Sequence, residues 1–433
     1  MNLTDRTEKK LRESSHPLLD GQVAEGEFVW PDYQGYSLAN VPATLFSILG
    51  CDASNLAPPL AADLWAGLET DVRRVVLVLL DAVGFVRLRE QIESGALAFL
   101  GRAAELGRFA PLTSVFPSTT TAALTTLHTG RAPAAHGMLA YSLYLRQYAT
   151  LVEMIRLRPL YGKGDLTEWG FDPETFVPLP GIGKLLAEQG VPAAHFINAP
   201  FVNTPLSRIF YRDYHTLSAV YSPADMFVGM RHFLEGHPAD KVLLSAYWGS
   251  VDSIAHRRGP AHPAWRAEVE SLVWALEHQF WRPLSPELRE GTLLILLSDH
   301  GQVSVDPDQA LIVTEHPRLD DGLLLPPAGE SRAAFLYPRA GRLEEMEALL
   351  RNQFADRFAL LRSAEALEAG LFGPPPWSME TPGRIGDLLL LARGQALVER
   401  GRDARAMGII GRHGGLSPAE MLIPFLAVRL EAL

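Results

Sequence analysis

Aspartate and histidine recur at the ends of short apolar runs in this chain. VVLVLL over 75–80 is followed at once by Asp81, KVLLSAY over 241–247 runs on to Asp252 and His256, and TLLILL over 292–297 leads into Asp299 and His300. Another histidine, His413, stands in GIIGRHGGLSPAEMLIPF, where Gly414 and Gly415 let backbone approach a ligand closely. Carboxylates and imidazoles are oxygen and nitrogen ligands suited to zinc or manganese, and without thiolates they favour a catalytic site over a closed structural one. Taken singly, an aspartate after a strand is a turn former or helix cap, an Asp-His pair is ordinary surface, and His413 is a loop histidine. Three placements at strand ends are far harder to reach by accident.

A second stretch, TSVFPSTTTAALTTLHTG over 113–130, sets Thr119, Thr120 and Thr121 before an alanine-rich run. Threonine is a mediocre helix former, so the three invite an explanation. A helix start, with Ser118 or Thr119 as cap and Gly130 as terminator, supplies a structural one. A hydroxyl carried there for chemistry is the other.

The elements that must position these groups read as α/β. Short apolar runs alternate with helical patterns, the signature of strands in a largely parallel sheet packed between helices, and DLLLLA over 387–392 is expected to be a further strand of it. In an open parallel sheet, sites form outside the carboxyl ends of the strands, so the acids and histidines are expected to converge there. In AWRAEVESLVWALEHQF, Trp265, Val269, Leu272, Val273, Leu276 and Phe280 follow the 3.6-residue period of a helix with one buried stripe. Residues 1–70 are expected to pack on the core, GYSLANVPATLFSILG as a helix. Residues 71–314 and 386–433 are expected to form the catalytic α/β core, and 315–385 a small α/β cap inserted between two of its strands. The stretch 142–180 has no clear periodicity and is expected to fold over the site.

Bulk properties narrow the partners. The 433 residues are 47% hydrophobic and 21% charged, an ordinary globular composition. A net charge of -11 argues against a nucleic-acid polymer or an anionic membrane as partner, and requires that positive charge for an anionic substrate be local. The single cysteine, Cys51, cannot form an internal disulfide. No apolar leader and no apolar run of about 18 residues is present, so a cytoplasmic location is expected. The oligomeric state is not readable at this level.

In order along the chain, Asp81, Thr120 within PSTTTAALTTLHTG, Asp252 with His256, Asp299-His300-Gly301 and His413-Gly414-Gly415 resemble the alkaline phosphatase superfamily, most closely its type I phosphodiesterase and nucleotide pyrophosphatase branch, over about residues 70–433. The resemblance implies an alkaline-phosphatase-like, mostly parallel central sheet flanked by helices, with a small cap. It implies two divalent ions, zinc as the usual metal and manganese as the alternative. Asp252, His256 and His413 would hold one, and Asp81, Asp299 and His300 the other. The family nucleophile stands nine residues before the threonine of a Thr-Gly pair, which from Thr129 leads to Thr120, itself also a metal ligand. Thr119, one residue off that spacing, is the alternative nucleophile, and Thr121 is expected to be structural. A threonine hydroxyl needs a base or metal to take its proton, and a helix start offers partial positive charge to phosphate oxygens.

Where the family carries an asparagine after its HG motif, this chain has Tyr141, expected to donate to a phosphate oxygen while reshaping the pocket. His136, outside the ligand set, is expected to be structural. The motifs mark no arginine as a phosphate clamp, Arg131, Arg257 and Arg258 being merely nearby, which leans toward diesters. Phe116, Tyr141 and Trp248 either stack on a planar group or pack. The expected activity is hydrolysis of a small phosphate ester or nucleotide-like substrate through a covalent phospho-threonine. The alternatives are a phosphomonoesterase or phosphonate hydrolase on the same site, and a non-catalytic binder of a phosphorylated ligand. A sulfatase is disfavoured, since Thr120 holds the nucleophile position and Cys51 lies outside it.

Overall fold

The apolar runs are buried strands. Arg74–Leu80, Val242–Trp248 and Thr292–Leu297 are buried along their whole length, as continuous apolar sequence requires of strands covered on both faces. Arg74–Leu80 lies between the other two and pairs parallel with both, Leu80 opposite Trp248 and Leu79 opposite Leu297, so the three strands end at one edge. The computed structural model describes residues 1–238 and 240–433. Its seven-stranded central sheet runs in the order Arg108–Thr113, Leu422–Arg429, Thr292–Leu297, Arg74–Leu80, Val242–Trp248, Ala193–Asn198, Thr216–Val220. Leu422–Arg429 is antiparallel to both of its neighbours, and the remaining pairings are parallel. Helices flank this sheet, giving the mostly parallel α/β architecture anticipated.

A second seven-stranded sheet, antiparallel throughout, takes the order Phe358–Arg362, Leu388–Ala392, Ala333–Leu336, Ala328–Glu330, Ser142–Leu145, Thr150–Glu153, Arg158–Pro159. The leucine run at 387–392, expected in the central sheet, stands here instead. Its alternate residues serve two cores: Leu389 and Leu391 join the main one, while Leu388, Leu390 and Ala392 join a smaller one with Met346, Leu350 and Phe354 of the helix Leu343–Phe354. A strand apolar on both faces looks the same whichever sheet receives it. Within the expected cap a strand, a helix and a further strand follow residue 332, but their sheet is completed by 388–392, beyond the expected insert, and extended by 142–159, the stretch without periodicity.

The helix Thr120–Thr129 starts from Thr119 in extended backbone and stops at Gly130, left-handed at φ 65°. Thr119 occupies the cap position but its hydroxyl makes no capping bond. Within the helix, the hydroxyls of Thr125 and Thr129 donate to the carbonyls of Thr121 and Thr125 at 2.6 and 2.7 Å, satisfying these polar groups where they are buried. The helix Val41–Ile48 of the N-terminal segment packs against it, with Leu45 and Phe46 in the main core. The predicted amphipathic helix spans Pro263–Ala275 and continues as a π turn over Leu276–Trp281, with all six stripe residues buried. Among the described residues no helix is long and apolar enough to cross a membrane.

Candidate metal centre and nucleophile

In-register strand ends set the site. The Asp81 N–H donates to the Trp248 carbonyl at 3.1 Å, carrying the ladder one residue past Leu80. After Trp248 and Gly249 the helix Ser250–Arg258 begins, which places Asp252 in its first turn and His256 one turn later on the same face. Asp299 and His300 follow Leu297 through Ser298. His413 follows Gly411–Arg412, a short strand antiparallel to Val303–Ser304.

The six side chains gather into two triads whose candidate ligand atoms each lie within 4.8 Å of one another: Asp81, Asp299 and His300, all buried, and Asp252, His256 and His413, half-buried. In the first, His300 Nε2 stands 3.5 Å from Asp81 Oδ1 and 3.4 Å from Asp299 Oδ2. In the second, Asp252 Oδ1 is 3.2 Å from His256 Nε2 and 3.9 Å from His413 Nε2. The His300 and His413 rings stack at 3.9 Å, so the triads adjoin.

Electrostatics argue for a cation here. Among the described residues Asp81 Oδ1 and Asp299 Oδ2 are buried with no hydrogen-bond partner. Burial, then the charges of Asp299 and Asp252, push the Asp81 carboxyl well above the usual range. Burial, with His300 and His256 beside it, pulls His413 well below the ordinary imidazole value. Buried carboxylate oxygens left without a hydrogen bond are costly alone and suited to a divalent ion.

The surrounding bonds orient the same atoms. His256, His300 and His413 each set Nδ1 against a backbone carbonyl, of Gly411 at 2.7 Å, Gly301 at 3.1 Å and Ser118 at 3.1 Å. A carbonyl accepts only from N–H, so in each ring Nδ1 carries the proton of the neutral tautomer and Nε2 is the nitrogen that a metal would take. Tyr247 donates to Asp81 Oδ2, and Gln302 donates to Asp252 Oδ1. The N–H groups of Ala82 and His300 donate to Asp299 Oδ1 at 3.1 and 2.9 Å.

The three threonines part company. Thr120, half-buried at the helix start, sets its Oγ 3.1 Å from His300 Nε2. Thr119 is buried and its hydroxyl engages Glu330, while the buried Thr121 hydroxyl has no partner. Thr119, Thr120, Asp252, His256 and His413 line a cleft of about 850 Å³, whose opposite wall includes Tyr141, Glu153 and Glu330 of the second sheet and its approaches. Tyr141 reaches this cleft, but with Glu153 beside it: desolvation first, then the Glu153 carboxylate, push the phenol up to about 12.

The other residues singled out by sequence lie apart. His136 is buried, with Nε2 2.9 Å from the Thr126 hydroxyl and Nδ1 accepting from the Met138 N–H. Phe116 packs on Phe372, and Trp248 is buried with Nε1 donating to Glu268 at 2.9 Å, so both pack and neither lines the cleft. Arg131, Arg257 and Arg258 are also absent from its walls, and Cys51 is half-buried elsewhere.

Sequence reasoning missed Glu330. It accepts from the Tyr141 N–H at 2.6 Å and from Thr119, and it crowds Gly414, where an added Cβ would fall 2.5 Å from Glu330 Cγ. It thus ties the second sheet to the nucleophile helix and the His413 loop. The only trace in sequence is the glycine after His413, and that does not point to position 330.

The mostly parallel, helix-flanked sheet is an alkaline-phosphatase-like fold. The chain superposes on murine ectonucleotide pyrophosphatase/phosphodiesterase 5 with a TM-score of 0.60, at 17% identity over 82% of this chain and 87% of that one. A second structure of the murine protein, an inactive threonine-to-alanine variant in complex with AMP, gives 0.59 at 17% identity, covering 82% and 88%. Phosphonoacetate hydrolase from Sinorhizobium meliloti 1021, in complex with phosphonoformate, gives 0.59 at 18% identity, covering 81% and 89%. At such identities the likeness is one of fold. No curated protein matches the chain by sequence. The family model for type I phosphodiesterase / nucleotide pyrophosphatase matches residues 75–416, and the chain belongs to that family. It is a metal-dependent phosphoric ester hydrolase.

Proposed function

We propose that the protein cleaves phosphodiesters or nucleotide-like esters through a covalent phospho-threonine at Thr120. Two divalent ions, zinc by preference and manganese as the alternative, would be held by Asp81, Asp299 and His300 and by Asp252, His256 and His413, with Thr120 between them. The observation that carries this reading is the Thr120 hydroxyl, 3.1 Å from His300 Nε2 at the seam of the two triads and open to the cleft. The inactive murine variant, a threonine-to-alanine change, lends support by analogy.

When bound, the ions supply Lewis acidity to the phosphoryl group and to the charge leaving it. Thr120 Oγ forms a bond to phosphorus as the bond to the leaving oxygen breaks. That oxygen takes the electron pair, and the threonine proton ends on it. The first-turn N–H groups of the ten-residue helix face the phosphoryl oxygens with the positive end of the helix dipole. Water then attacks the phospho-threonine, which restores the hydroxyl and releases the phosphate product. Tyr141 contributes a donor to a phosphoryl oxygen once its phenol swings from Glu153. The second sheet acts as the cap over the site. A cytoplasmic setting agrees with the unpaired, half-buried Cys51.

The test is hydrolysis of bis-4-nitrophenyl phosphate against 4-nitrophenyl phosphate by zinc- or manganese-loaded protein. A preference for the diester, abolished in Thr120→Ala, is expected. A preference for the monoester would replace the substrate class, and full activity in Thr120→Ala would remove the nucleophile. Tyr141→Phe is expected to lower kcat/KM about tenfold, the worth of one hydrogen bond to a charged group.

A further inference from the structure

Among the described residues four arginines line the cleft: Arg158, Arg400, Arg402 and Arg412. Three are already matched to carboxylates, Arg158 to Glu153 at 2.7 Å, Arg402 to Glu315 at 2.6 Å and Arg412 to Glu399 at 2.8 Å. Arg400 differs. Among the described residues it forms no ion pair, and its guanidinium carbon lies 4.8 Å from the centre of the Tyr161 ring, with the Tyr161 hydroxyl also engaged. Its carbonyl accepts from the Thr314 N–H at 3.0 Å, which anchors the backbone beneath it. The side chain is exposed and faces the same cleft as Thr120.

We infer that Arg400, carried on the face of Tyr161, forms a second anion subsite in this cleft that receives a carboxylate or phosphate group of the substrate other than the one attacked by Thr120. The inference rests on the reading that the scissile phosphoryl group sits at Thr120. In a chain of net charge -11, attraction for an anion must come from local positive charge. Among the described residues, three of the four cleft arginines are spent on internal carboxylates, and the ions that the triads would hold serve the scissile group. A guanidinium held over a ring, with one donor turned to the Tyr161 hydroxyl, keeps its remaining N–H groups for a carboxylate or phosphate. The stacking also reduces the freedom lost on binding. The substrate class is therefore a phosphate ester with a second anionic group, spaced from the scissile phosphorus by a linker that the cleft accommodates.

Inhibition of bis-4-nitrophenyl phosphate hydrolysis at fixed free metal tests this. The probes are α,ω-alkylene bisphosphonates of increasing chain length, ω-carboxyalkylphosphonates of the same lengths and plain alkylphosphonates. The readout is the ratio of inhibition constants, plain over two-headed, within each protein. At one chain length the wild-type ratio is expected to reach about tenfold or more, the scale of a charge-assisted pair. It is expected to fall to about one in Arg400→Gln and to recover in part in Arg400→Lys. The bisphosphonate and carboxylate arms separate a phosphate from a carboxylate as the second group. A ratio near one at every length, or a high ratio kept by Arg400→Gln, overturns the subsite and leaves the proposed hydrolysis standing. A wild type that hydrolyses no ester overturns the reading beneath it and the subsite with it.

Discussion

The two triads use the same residue types in different settings. Asp81, Asp299 and His300 expose at most 4% of their side chains, whereas Asp252, His256 and His413 expose 16%, 29% and 10%. The deep triad hangs directly from adjoining strand ends, so sheet register sets its geometry. The shallow triad comes from a helix and a loop and forms part of the cleft wall. The difference separates a rigid, dehydrated half, where unmatched charge is most costly, from a half that substrate and solvent reach.

The largest effect is expected at the seam. Thr120→Ala should cost about 10³-fold or more in kcat while both metals remain bound, checked by metal content beside the assay. Thr119→Ala, turned to Glu330, should cost far less. Next comes removal of one carboxylate from each triad. Asp299→Asn should raise the thermal midpoint of metal-free protein by a few degrees, because it relieves repulsion with Asp81 where water cannot screen it. Asp252→Asn should move that midpoint less. Both should lose most activity, and excess zinc should restore Asp252→Asn more than Asp299→Asn. Equal melting shifts would erase the contrast between the halves.

Smaller effects sharpen it. Tyr247→Phe removes the donor to Asp81 and Gln302→Ala the donor to Asp252. Losses of about 10- to 100-fold in metal affinity are typical of such changes, with the deeper one expected to be worse. Competition with a chelator measures both. Gly414→Ala should destabilise by about 1–3 kcal/mol, since its φ of +109° disfavours a side chain and the new Cβ meets Glu330. Glu330→Ala on top should recover the steric part only, as read by denaturant melts.

Much of the deep triad was legible because its determinants are local. An apolar run buried on both faces, followed at once by Asp81 or by Asp299 and His300, is written in consecutive residues. Thr120 became legible through family spacing, and its helix through Gly130. Glu330 and Arg400 were not legible, because what distinguishes them is the company they keep, with Tyr141, Thr119 and Gly414 in one case and Tyr161 in the other. The leucines at 388–392 were read correctly as a strand and assigned to the wrong sheet.

The sequence by itself determined that the longest apolar runs are strands and the periodic segments helices, that acids and histidines stand at strand ends, and the family those motifs spell. Hydrophobic period and spacing record burial and local geometry, and they are indifferent to partner. Only the tertiary structure decided which sheet each strand joined, that Tyr141 lies beside Glu153, and that among the described residues three of the four cleft arginines pair with carboxylates while Arg400 does not. Those outcomes depend on contacts across separate elements, whose geometry exists only once the chain has closed on itself.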